Sequence, residues 1–377
     1  MSKKIFIVVL CVIFISCIKN KSTTKVTGGT YVGDSPLFGG VVAITPYNDS
    51  SEVLGNCTAS IVSHNTLLTA AHCVVFEAEG KIVLAKQVEV MFVIFDDKFT
   101  AKTAKSSKIF YNEYYNLLNG ETKANDVALV VFDDNTFSEL TPISLYPDAI
   151  ELGSTVALVG YGCETVTKEV FENGVSKKTV QCADVGPGEK RILNKRAGVN
   201  KVTSGGCLYD MVQVSQEKFK ADSEIDKPTG LDVAANRGDS GGPLLNFPNG
   251  GFHSPEDLFL IGVASYIWIN KADELISCYA GPLSKLNFKF ISEVVSNYGA
   301  KIPGINMYVG MIELNGKVRV VEKQRKNIYN EKMPDTPFTI NRIQSGSQYC
   351  QSTGSMSGIK SCWDSLTLLE KTKLTWQ

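Results

Sequence analysis

Three short segments hold residue types that can carry nucleophilic chemistry: Leu68-Thr69-Ala70-Ala71-His72-Cys73, Asn125-Asp126-Val127-Ala128-Leu129-Val130 and Gly238-Asp239-Ser240-Gly241-Gly242-Pro243. A serine hydroxyl is a weak nucleophile at neutral pH and needs a base beside it. Histidine suits that task, because its unperturbed pKa is about 6.5. The chain has three histidines, His64, His72 and His253. His64 lies in Ser63-His64-Asn65, a turn composition, and His253 in a Gly/Pro-rich stretch, so both read as solvated. Asp126 heads an apolar run that would carry its carboxylate to the edge of a core. Asp133 and Asp134 follow it without such a context.

The elements that must position these residues read as strands. Between 26 and about 299, short apolar runs rich in Val, Ile, Phe and Thr recur between turn clusters: 40–45, 58–62, 88–95, 127–132, 155–159 and 258–263. That pattern predicts an all-β barrel or sandwich. A helix is predicted over 288–298, where Phe290, Ile291, Val294 and Val295 fall at helical spacing. The polar stretches 165–180 and 216–229 read as long loops. Residues 301–377 form a distinct β-rich extension, with a hairpin signal at Asn315-Gly316 between 307–314 and 317–322.

Composition narrows the chemistry. The net charge of −1 gives no electrostatic argument for nucleic acid or an anionic membrane as partner. The ten cysteines favour an oxidising compartment. No Cys-x-x-Cys occurs, and three histidines are few for a zinc site, so neither metal nor organic cofactor is expected. Lys3 and Lys4 precede an apolar run over 5–15, shorter than the about 20 residues that span a bilayer and suited to a secretory signal over 1–16. The run ends in Phe14-Ile15-Ser16-Cys17, which resembles a bacterial lipobox, with Cys17 as the lipidated first residue of a tether over 17–25. Cys11 leaves with the signal. Ten cysteines less Cys11 and Cys17 leave eight, an even number.

Taken together and in the order His, Asp, Ser, the three segments resemble the trypsin/chymotrypsin family of serine proteases, over roughly 26–300. The resemblance implies two antiparallel six-stranded β-barrels with the site in the cleft between them. It implies His72 as general base, Asp126 as its orienting carboxylate and Ser240 as nucleophile. Gly238 and Ser240 would supply the backbone N–H groups of the oxyanion hole. Cys57 and Cys73 fit the family's disulfide beside the histidine. Cys163–Cys182 and Cys207–Cys278 are one of three connectivities open to those four, and Cys350 and Cys362 would staple the extension.

The same resemblance places Val26-Thr27-Gly28-Gly29, after Lys25, at the family's mature N-terminus. Its new α-amino group would pair with Asp239, which makes an activating protease a partner. Ala234 falls at the floor of the primary pocket and Ser265-Tyr266-Ile267 at its wall, with Asn236 where a bridging cysteine is usual. With no acid at Ala234, and a branched Ile267 narrowing the slot, small or medium apolar side chains are expected. A two-residue insertion would instead bring Asp232 to the floor and favour basic ones. The expected partners are peptide or protein substrates, bound by a monomer. The rivals are a catalytically silent binding lipoprotein and an esterase. The latter lacks its Gly-x-Ser-x-Gly elbow and chain order here.

Overall fold

The structure, a computed structural model, describes residues 26–33, 35–78, 81–95, 99–116, 120–146, 150–163, 165–172, 175–182, 194–208, 211–217, 230–247, 254–298, 302, 305–306, 311–314, 317–320, 342–345, 348–351 and 374–375. The apolar leader, Cys17, Lys25, His253 and Cys362 lie outside these residues, as do the side chains of Cys182 and Cys350.

A short β1 (Thr30–Tyr31) precedes the first barrel. The barrel begins with β2 (Val41–Tyr47), β3 (Cys57–Ser63) and β4 (Thr66–Thr69). A side hairpin follows, β5 (Val75–Ala78) and β6 (Lys81–Leu84), and then β7 (Gln87–Ile94), β8 (Thr100–Lys105), β9 (Lys108–Tyr111) and β10 (Ala128–Val131). These form an antiparallel ladder ordered β8-β7-β2-β3-β4-β10-β9. Seven strands stand here where six were expected, because β8 and β9 are one strand broken at a corner. Ser106 N donates to Val88 O on the β7 side, and Ser107 N to Val131 O on the β10 side. Each serine hydroxyl also takes up a backbone group there, Val88 N and Val131 O respectively, which caps the change of partner. Strand β7 alternates, with Val88, Val90 and Phe92 pointing inward. Strands β3 and β10 are buried along their whole length.

The second barrel uses β11 (Ser144–Leu145), β12 (Thr155–Gly160), β15 (Arg196–Thr203), β16 (Met211–Gln216), β17 (Pro243–Asn246), β18 (Phe259–Ile269) and β19 (Leu275–Ala280), with β13 (Thr165–Glu172) and β14 (Val175–Cys182) inserted as a separate hairpin. The order β15-β12-β17-β18-β19-β16 closes on itself, since Val202↔Val214 and Thr203↔Gln213 join β15 back to β16. Strand β1 extends this sheet through Thr30↔Ala197, so the N-terminal strap belongs to the second barrel. The stretch over 165–180 is therefore not a loop: β13 and β14 pair from Thr165↔Cys182 to Glu172↔Val175. Its many Lys and Glu residues hide any apolar alternation, while Asn173-Gly174 between the strands is a hairpin signal in its own right. Of the other stretch read as a loop, Gln216 ends β16, and 218–229 lie outside the described residues.

Helix α1 (Lys285–Tyr298) starts earlier than the apolar spacing announces and lays Ile291 and Val294 onto the first barrel's core. In the extension, β20 (Ile305–Asn306), β21 (Met311–Leu314) and β22 (Lys317–Val320) form one sheet. Leu314↔Lys317 leaves Asn315-Gly316 as the connection. A second sheet holds β23 (Arg342–Ser345), β24 (Gln348–Gln351) and β25 (Leu374–Thr375). Among the described residues the fold is all-β apart from α1 and short 3-10 turns, in two barrels. Disulfides join Cys57 to Cys73 and Cys207 to Cys278. Cys163 is also disulfide-bonded; its expected pairing with Cys182 falls on a side chain outside the described residues.

Candidate active site

His72 sits in the 3-10 turn Ala71–Cys73 that ends β4. Cys57–Cys73, closing a span of 16 residues, ties that turn to the start of β3. Such a link contributes about 3 kcal/mol by restricting the unfolded chain. Asp126 stands at the head of β10, beside β4, and is 1% exposed. Its carboxylate receives three donors. His72 N reaches Oδ1 over 2.9 Å, and His72 Nδ1 reaches Oδ2 over 2.7 Å. Ser265 Oγ, from the second barrel, reaches Oδ2 over 2.6 Å. A carboxylate buried this fully needs such partners. With Nδ1–H committed to Asp126, the free lone pair of the ring is on Nε2.

Burial alone would lower the pKa of His72. The neighbouring Asp126 outweighs it by charge and by hydrogen bond, Lys123 opposes weakly, and the net shift is upward. The His72 side chain keeps 25% exposure, so its free edge faces the cleft.

Ser240 enters the same seam through its backbone. Its carbonyl accepts from Thr58 N over 2.8 Å, Gly241 N donates to Ala264 O, and Gly242 N to Asp239 O. Gly241 has φ of 78°, and a Cβ there would run into Thr69 Oγ1, Thr58 O and, at 2.9 Å, Ala70 N. The serine turn is thus pressed onto the residues that lead into His72. Among the described residues no hydrogen bond joins Ser240 Oγ to the His72 ring; such bonds often tighten only around substrate.

The donors behind the serine are oriented by elementary peptide geometry. In a trans peptide, C=O and N–H point in opposite directions. Cys163 N holds the Arg237 carbonyl over 2.8 Å, so Gly238 N–H points away from Cys163. Thr58 Oγ1 fixes the next carbonyl, Gly238 O, at 2.9 Å, and Gly238 has φ of 94°. Asp239 is buried, with Gly162 N on Oδ1 at 2.8 Å and Asn236 N on Oδ2 at 2.9 Å. A side chain at Gly160 would strike Asp239, so the approach requires glycine. Val26 is buried beside Asp239, together with Leu158, Ala235 and Tyr279. Thr27 N donates to Ala234 O over 3.0 Å, and Ala234 N to Thr27 O over 3.3 Å.

Around the expected pocket, Ala234 is fully buried and clusters with Leu275, Ile267 and Ile269. Ile267 pairs across β18–β19 with Ser277, whose hydroxyl accepts from Ala235 N. Asp232 is an exposed residue with φ of 52°, bonded to Asn200 of β15. Tyr266 lies with its ring under Lys123 Nζ, 4.4 Å away. Ser265, expected on the pocket wall, turns its hydroxyl to Asp126, at a bulge between Ala264 and Tyr266. The second-barrel origin of that bond gave no local signal. Asn287 of α1 was also missed: its Nδ2 donates to Ala124 O and Gly281 O at 2.8 Å each, and its Oδ1 accepts from Asn112 Nδ2. A polar residue on the apolar face of α1, one turn before Phe290 and Ile291, was the available clue.

Cys57, His72 and Cys73 bring potential metal-ligand atoms within 4.8 Å of one another. The two sulfurs are spent in a disulfide and Nδ1 on Asp126, so this set does not fit a metal.

A family model described as Trypsin matches residues 45–282. Trypsin theta of Drosophila melanogaster is 25% identical over 255 residues, covering 62% of this chain and 82% of its own. Complement factor B of Bos taurus is 28% identical over 230 residues, covering 56% of this chain and 28% of its own. A solved Glu endopeptidase in complex with MPD covers 72% of this chain and 98% of its own, at 15% identity and a TM-score of 0.46. With the family's model matching well over half of its length, and both barrels in place, the chain belongs to the trypsin family.

Proposed function

We propose that this chain is a serine endopeptidase that cuts peptide bonds through an acyl-enzyme. The observation that carries the reading is the His72 ring held at 2.7 Å by the buried Asp126, with Nε2 left free. Ser240 Oγ attacks the carbonyl carbon as His72 Nε2 takes its proton. Asp126 stabilises the imidazolium, which then protonates the departing amine. Water repeats the sequence to release the acid. Gly238 and Ser240 N–H groups receive the oxyanion, each donor being worth about a hundred- to a thousandfold in rate.

Beyond Ala264, the edge of β18 opposite β19 has no ladder partner among the described residues. An extended substrate adds there as a strand. Its side chain beside Ile267 and the buried Ala234 is then small or medium and apolar. The exposed position of Asp232 counts against a basic preference. Val26, seated against Asp239, supports cleavage after Lys25 as the activating step. Disulfides in a trypsin-family chain fit an exported protein. We place a signal over 1–16, a tether over 17–25 lipidated at Cys17, and the catalytic domain over 26–300.

The test is fluorophosphonate labelling of the exported protein and its Ser240→Ala form, followed by profiling on a random peptide library. Labelling and cleavage by the first alone is expected, with apolar residues before the cut. A profile dominated by Arg and Lys would overturn the pocket assignment. A folded protein that neither labels nor cuts would favour a silent binding scaffold.

A further inference from the structure

Lys123 belongs to the 3-10 helix Gly120–Asn125 that delivers Asp126 to the site. Its Nζ lies over the Tyr266 ring at 4.4 Å. Its carbonyl is 3.4 Å from Ser265 Oγ, the hydroxyl that donates to Asp126. Its charge also reaches His72, acting against Asp126 to lower the pKa of the ring. Lys123 and Tyr266 are both half-buried. Among the described residues, no carboxylate lies within ion-pair distance of Lys123 Nζ. A cation with an aromatic floor and, among the described residues, no ion-paired carboxylate therefore stands at the cleft, between the His72 wall of the first barrel and the Tyr266 wall of the second.

Resting on the peptidase reading above, we propose that Lys123 selects an acidic side chain on the substrate residue immediately before the one whose carbonyl is cut. In an extended strand, successive side chains point to opposite faces. If the residue at the cut turns toward Ile267 and Ala234, the one before it turns the other way, over Tyr266 toward His72 and Lys123. A carboxylate there meets an ammonium that Tyr266 has already partly stripped of water, and it supplies a counter-ion.

The test uses the exported protein as cells process it, with Lys123→Gln, Lys123→Arg and Lys123→Glu. Each is assayed on peptides that differ only in Glu, Gln or Lys at that position. The wild type is expected to favour Glu over Gln by roughly three- to tenfold in kcat/KM, the range of a partly screened ion pair, with the ratio shrinking as salt rises. Lys123→Arg keeps the ratio, Lys123→Gln brings it to about one, and Lys123→Glu turns it toward Lys. Removing the cation also moves the acidic limb of the pH profile upward. A wild-type ratio near one overturns the assignment. So does a Lys123→Gln variant that slows on all three peptides with the ratio intact, as a merely structural residue would. A wild type that cleaves no peptide and leaves Ser240 unlabelled sinks the peptidase reading itself.

Discussion

At the scale of single residues, Asp126 is one point where the two barrels meet chemically. Two of its three donors come from His72 and the third from Ser265. Removing the Ser265 hydroxyl takes a charge-assisted bond from a buried carboxylate, so Ser265→Ala is expected to lower kcat/KM about tenfold. A less satisfied carboxylate pulls harder on the imidazolium, and the acidic limb of the pH–rate profile should rise. A limb that stays in place while the melting temperature falls would mark Ser265 as structural only. For Asp126→Asn the limb should move down, because the carboxylate is what raises the His72 pKa. Lys195 is a buried amine outside the site. Its Nζ donates to Phe38 O over 2.6 Å, and burial lowers its pKa from 10.5 to about 7. Between these values the unfolded chain binds a proton that the folded chain does not, so stability rises with pH across the window. Below about 7 both states are charged and the penalty is constant. Lys195→Met is expected to stabilise the fold at neutral and acid pH, on the order of a few kcal/mol, with the gain fading toward pH 10.5. Urea midpoints at several pH values measure this.

At the scale of elements, the decisive feature is how closely turns from different barrels approach. Gly241→Ala would force a Cβ against Thr69 and Ala70 at a left-handed φ. It should abolish fluorophosphonate labelling at temperatures where circular dichroism still reports a native fold. Asn287→Ala strips partners from Ala124 O, Gly281 O and Asn112 at once, and should cost about 2–4 kcal/mol in thermal or urea unfolding. These contacts also mark how far the sequence could be read. The motif segments at His72, Asp126 and Ser240 were legible because each chemistry-bearing residue sits among residues that shape its own local backbone. The strand cores were legible wherever apolar residues ran together, as in β3 and β10. The hairpin β13–β14 was not, because most of its positions are polar and show no apolar alternation. The corner at Ser106–Ser107 and the Ser265–Asp126 bond, which spans 139 positions, depend on tertiary partners that no local pattern announces.

At the scale of the whole molecule, the chain wraps its own start around the second barrel. β1 pairs with β15, Thr27 pairs with Ala234, and Val26 is buried beside Asp239. If the new terminus at Val26 is what completes the site, Asp239→Asn in the processed protein should lose labelling at Ser240 by well over tenfold while folding normally, since it removes the partner of the α-amino group. N-terminal sequencing of labelled protein that begins upstream of Val26 would refute this route. The site itself is shared, with His72 and Asp126 carried by the first barrel and Ser240 and Ser265 by the second. Each barrel has its own hydrogen-bonded sheet, and the two are joined by side-chain packing and by a few bonds such as Thr58 N to Ser240 O. On the peptidase reading, a small shift at this seam ends turnover before either sheet melts, so the age of a preparation is better judged by its turnover than by its spectrum.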